Sequence, residues 1–194
     1  MTILLLGLVI FLGTHSVRIV ADDWRAAQRA RLGAQTWKLV YTLLSLVGFA
    51  LIIWGFGLAR RAPVLLWSPP AAMRHVAALL TLLAFILLAA TYVPRNGIKA
   101  RLHHPMVLGV TTWAFAHLLA NGSLADVVLF GSFLVWAKLS YLAARRRDRA
   151  DRVSYPPGTM GGTVAAVGVG IAAWVVFAFW LHGWLIGVRP FPAL

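Results

Sequence analysis

Six apolar runs, each about as long as a bilayer is thick, recur along this chain and constrain its fold more than any other feature. They are Thr2–Val20, Trp37–Leu58, His75–Val93, Pro105–Ala120, Ala125–Ala143 and Thr163–Ile186. A transmembrane helix needs roughly 20 apolar residues. A helix also satisfies its backbone polar groups internally, which lipid demands. Six such helices and their connections use nearly all of the 194 residues. The expectation is an all-α integral membrane protein with one domain over 1–194 and about six transmembrane helices. Composition agrees: 61% of residues are hydrophobic and the mean hydropathy is +0.82, where soluble domains run near about 45–50% apolar. The first run has no basic leader and no small-x-small cleavage site. It also carries His15 and Arg18, so it reads as a retained helix.

Charge sets the expected orientation. The chain has 18 Lys+Arg, five Asp and no Glu. The basic residues sit in short gaps between apolar runs, which is a topology pattern and not a nucleic-acid footprint. Arg25, Arg29, Arg31, Arg95, Lys99, Arg101 and the Arg145–Arg152 group fall in alternate gaps, eleven in all. Arg60, Arg61, Arg74 and Arg189 fall on the other side. The positive-inside rule then puts both termini outside, in a multi-pass protein of the cell inner membrane. The Arg145–Arg152 group also suits anionic lipid heads. Asn121-Gly122-Ser123 reads as a tight turn, and Ser123 with Asp126 as a capping box opening the next helix. Gly161, Gly162, Ala165, Ala166, Gly168 and Gly170 make a small-residue stripe for close helix packing.

Six histidines are the candidate chemistry: His15, His75, His103, His104, His117 and His182. Ionisable groups at membrane depth are expensive and default to functional hypotheses. Gly7, Phe11 and His15 recur every four residues, as do Gly109, Trp113 and His117. That spacing keeps each trio on one helix face. A small residue, an aromatic and an imidazole in a row suit a flat macrocycle, and histidine is a standard haem ligand. An imidazole bonded to a neighbouring helix is the structural alternative. With no Cys and no Glu, thiolate and carboxylate-rich metal sites are excluded, leaving a His-only zinc or copper site open. At about 1.5 Å per residue, His15 and His117 are offset on the order of 12 Å along the bilayer normal. A shared iron then has to lie near mid-bilayer. By depth His104 matches His15, and His182 matches His117.

The stretch His104-Pro105-Met106-Val107-Leu108-Gly109 with Trp113-Ala114-Phe115-Ala116-His117-Leu118-Leu119-Ala120-Asn121-Gly122 resembles the NnrU family. Gly13-Thr14-His15-Ser16 and His182-Gly183-Trp184-Leu185-Ile186-Gly187-Val188-Arg189-Pro190 extend the resemblance over the chain. It implies a multi-pass membrane protein associated with denitrification, that is, with nitrite and nitric oxide reduction. The family is similar to the plant zeta-carotene isomerase, a haem b protein that isomerises a carotenoid. By position the resemblance implies His15 and His117 as haem b ligands; the stripe spacing sets Gly109 and Trp113 beside such a cofactor. His104 and His182 are the alternates. That relative has a cysteine where this chain has Ala114, so a thiolate ligand is not carried over.

Other readings stay open at this stage. An apolar or gaseous ligand fits a haem site. A non-catalytic partner or assembly factor for a respiratory enzyme needs no cofactor. His103-His104-Pro105 also resembles the Arg-His-Pro of isoprenylcysteine-type membrane methyltransferases, but without the arginine. Whether the chain is an enzyme, and which residues are catalytic, is not fixed by the sequence.

Overall fold

The computed structural model describes residues 1–191, and its regular structure is all helical, with no strands among those residues. The last three positions of the expected 1–194 unit lie outside the described residues. The helices are α1 Thr2–Val20, α2 Asp22–Leu32, α3 Ala34–Ala59, α4 Ala72–Tyr92, α5 Gly97–Leu102, α6 Pro105–Ala120, α7 Leu124–Ala150 and α8 Met160–Val176. A π-helical turn, Phe177–Leu181, and α9, His182–Ile186, continue α8 as one apolar rod. Five of these elements are long and apolar enough to cross a membrane, and α6 is a shorter apolar helix. The protein is a multi-pass membrane protein, as its apolar runs led one to expect.

The packing order is α3, α1, α7, α6, α4, α8, each helix lying beside the next. Side chains turned away from these contacts stay apolar, as Leu39, Leu43, Leu46 and Ile53 do on α3. Lipid is their solvent, so there is no penalty for exposing them. Without a hydrophobic drive between helices, close backbone approach supplies the attraction. The α1–α3 seam shows this. A Cβ on Gly7 would lie 2.6 Å from the Ile52 nitrogen, and one on Gly48 2.7 Å from the Phe11 nitrogen. A Cβ on Gly55 would run into the Leu4 backbone. The α8 stripe is used in part: Gly170 sits against Ile86 and Gly162 against the Arg95 carbonyl, but Gly161 and Gly168 face open space.

Two segments depart from the sequence expectation. Asp22–Leu32 was read as a basic gap and is a helix, α2, with no buried residue. The fifth apolar run was expected to end at Ala143, yet α7 continues to Ala150. Its 27 residues reach about 40 Å, against a hydrocarbon core of about 30 Å. The last two turns therefore stand beyond the apolar layer, where Arg145–Arg149 lose nothing by staying helical. Ser123 and Asp126 do form the capping box.

Each end of the bundle is tied down by its loops. At the end away from the basic gaps, Leu66 N–H donates to the Gly122 carbonyl at 2.8 Å, and Leu124 N–H to the Val64 carbonyl at 2.8 Å. At the basic end Asn96, 2% exposed, donates to the Ala90 and Val93 carbonyls and accepts from Lys99 N–H. Thr159 N–H donates to the Arg95 carbonyl at 2.7 Å. These bonds hold α5 across the helix ends.

Candidate functional site

A cleft of about 400 Å³ opens at the basic end. His15, Arg18 and Ile19 reach it from α1, Thr91 from α4 and Lys99 from α5. Met106 and Val107 line it from α6, Ser140 and Arg147 from α7, with His103, His104 and Tyr155 at its edge. The cleft thus gathers His15, His103 and His104. It does not include His117.

One carboxylate organises the edge. Asp148, with its side chain 12% exposed, accepts from His104 Nε2 at 2.8 Å and from the Tyr155 hydroxyl at 3.0 Å. The Arg145 guanidinium lies 3.5 Å away and the His103 ring 3.8 Å. Arg145 also donates to His103 Nδ1, and the Tyr155 ring stacks on His103 at 4.2 Å. An arginine only donates, so His103 Nδ1 is an acceptor there; a carboxylate only accepts, so His104 Nε2 carries a proton. Burial, and then its bond to Asp148, push the Tyr155 phenol above its ordinary value. Asp148 and Tyr155 were missed from the sequence. A single acid inside an arginine run, Arg145-Arg146-Arg147-Asp148-Arg149, was the available signal.

The two histidine stripes have matching local geometry. His15 Nδ1 lies 2.7 Å from the Phe11 carbonyl, and His117 Nδ1 lies 2.9 Å from the Trp113 carbonyl. A carbonyl only accepts, so each Nδ1 carries the proton and each neutral ring keeps its lone pair on Nε2. That is the tautomer that ligates a metal, with the backbone bond fixing the ring.

The stripes do not face each other across open space. His15 stacks on Phe11 at 4.2 Å, Phe11 meets Phe133 at 5.8 Å, and Phe133 meets Trp113 at 5.6 Å. Trp113 adjoins His117, which stacks on Phe130 at 4.5 Å. A continuous row of rings fills the span between the imidazoles. Gly109 serves a helix contact, since a Cβ there would lie 3.1 Å from the Ala84 carbonyl of α4. His182 Nδ1 bonds the Val188 carbonyl at 2.6 Å, outside the cleft. No group of three or more His, Cys, Asp or Glu is placed to hold a metal among the described residues. A haem held by His15 and His117 together therefore does not fit this packing. One held from His15 in the cleft fits the donor chemistry.

The NnrU protein family model matches residues 3–190. No curated protein and no solved structure matches the chain. The chain belongs to the NnrU family.

Proposed function

We propose that this NnrU-family membrane protein binds haem b in the cleft at its basic end, with His15 as an iron ligand, and acts in nitrogen-oxide respiration. The observation behind this reading is the His15 imidazole. Its Nδ1 is tied to the Phe11 carbonyl, its Nε2 has no protein partner among the described residues, and it lines a cleft that also collects Arg18, Lys99 and Arg147. A bound haem would supply an iron that exchanges electrons or takes a small ligand. The chain's own residues supply the rest. Phe11, Tyr41 and Trp136 pack around the His15 ring at 4.2, 5.2 and 6.0 Å and fix its plane. Ile19, Met106 and Val107 give the cleft an apolar wall that also suits an apolar or gaseous ligand.

The link to nitrite and nitric oxide reduction rests on the family resemblance, and so does isomerase-like activity. By the positive-inside rule the cleft faces the cytoplasm, with both termini outside and the protein in the inner membrane. The test is the absorbance of protein expressed with ample haem. A Soret band that His15→Ala abolishes or shifts, and His117→Ala leaves in place, is the expected result. No band in the wild type rejects the proposal. A band sensitive only to His117→Ala moves the iron into the aromatic row. Copurification with a nitrite or nitric oxide reductase would identify the respiratory partner.

A further inference from the structure

We infer that the rim of this cleft is a receptor for an anionic oxygen group carried on an apolar body: the carboxylate or phosphate of an amphiphile. The inference goes beyond the haem proposal and needs no iron. It starts from three cations without a carboxylate between them. Arg18, Lys99 and Arg147 all line the cleft, and no acidic residue does. Short backbone bonds hold two of them in place. Lys99 Nζ donates to the Thr91 carbonyl at 3.0 Å, and Arg147 donates to the Arg18 carbonyl at 3.2 Å.

The nearby acids are already committed. Asp22 approaches Arg18 only to 3.9 Å, while Arg25 holds it at 2.8 Å. Asp148 is taken by His104, Tyr155 and Arg145. Arg18 and Arg147 stand close enough to repel each other, with Lys99 on the same lining, and the repulsion grows at a membrane edge, where the dielectric falls. An anion seated among them removes that cost and gains charge-assisted hydrogen bonds. The rest of the lining includes residues of the opposite character: Ile19, Met106, Val107 and Ala144. An inorganic ion would satisfy the rim alone. A ligand with an anionic head and an apolar body satisfies both. A phospholipid has this chemistry, and so does haem through its carboxylates.

The test uses the full-length, haem-free, delipidated chain in detergent. Native mass spectrometry follows titration with phosphatidylglycerol or with phosphatidylcholine of the same acyl chains. The anionic lipid is expected to bind at least about tenfold tighter. Arg147→Gln and Lys99→Gln should each weaken it about tenfold or more and leave the zwitterionic lipid unchanged. Arg147→Lys should restore part of the loss. Arg29→Gln, on exposed α2 at the same end, should have no effect. Equal affinity for the two lipids overturns the inference, and so does an equal loss in Arg29→Gln. Saturable binding of inorganic phosphate with no preference for the anionic lipid also overturns it. Haemin displacing phosphatidylglycerol assigns the site to haem carboxylates, and failure to displace assigns it to lipid. Anionic-lipid retention without a Soret band removes the iron reading and keeps this one.

Discussion

Replacing Asp148 by Asn removes the one charge on which four side chains at the basic end converge. The carboxylate accepts from His104 at 2.8 Å and from Tyr155 at 3.0 Å, with Arg145 at 3.5 Å and His103 at 3.8 Å. Hydrogen bonds to a charged group contribute about 1.5–3 kcal/mol each. Asparagine keeps the shape and one acceptor oxygen, so the expected loss is about 2–3 kcal/mol. For a chain of this size that is a fall in melting temperature of about 4–12 °C. Tyr155→Phe removes one donor and should cost about 1.5 kcal/mol. The two changes share a bond, so their effects should not add, and a coupling of about 1 kcal/mol is expected in the double-mutant cycle. Thermal melts followed by circular dichroism in one detergent supply all four stabilities. Additive losses would mean that the Asp148–Tyr155 bond adds nothing, and the cluster would then be a crossing of side chains with no organising role.

Alkaline pH probes the same bond. Tyr155 holds its proton more tightly when folded than its ordinary value near 10 allows. Its contribution is thus complete below pH 10 and is lost as pH rises through the folded value. Wild type should lose more stability than Tyr155→Phe as pH rises above about 10, and equal losses would refute the assignment. Gly55→Ala should destabilise by about 1–3 kcal/mol through overpacking against Leu4, whereas Gly57→Ala, which meets open space, should be neutral or gain up to about 1 kcal/mol. Urea or SDS titration of the two variants separates these cases. Gly122→Ala drives a methyl into the Trp67 carbonyl, so the loop between α3 and α4 should become cleavable by protease in that variant and stay resistant in wild type.

The apolar runs made the helices legible because lipid rewards one property, a long stretch without charge, and that property is local. Pro105–Ala120 and Thr2–Val20 match their expected bounds for this reason. The α7 end was not legible, because a helix leaving the bilayer changes solvent without changing conformation. The site was partly legible. The depth estimate paired His15 with His104, and both line the cleft. Periodicity found the Gly-aromatic-His stripes but not what each glycine faces. Gly7 and Gly109 point at neighbouring helices, and that depends on packing order, which no spacing within a helix encodes. Asp148 was hidden in a charge run that reads as topology until α7 is known to carry it back over α6.

The position of the cleft follows from mismatched helix lengths. The 16 residues of α6 reach about 24 Å, while its neighbour α7 extends well past the membrane layer. The His104-Pro105 step starts α6 late, and Pro105 is itself fully buried. A short helix beside long ones leaves a notch at the end where it begins. Here that end carries the basic residues, so Arg18, Lys99 and Arg147 line the notch together with the first turn of α6. His15 lies within its reach because it sits on the last turns of α1, near the same end. A ligand held between His15 and His117 would have needed the aromatic row from Phe11 to Trp113 to open. The notch requires no such movement. Chemistry proposed for this chain therefore belongs at the membrane edge, where an anionic group and an apolar body meet their matching walls at once.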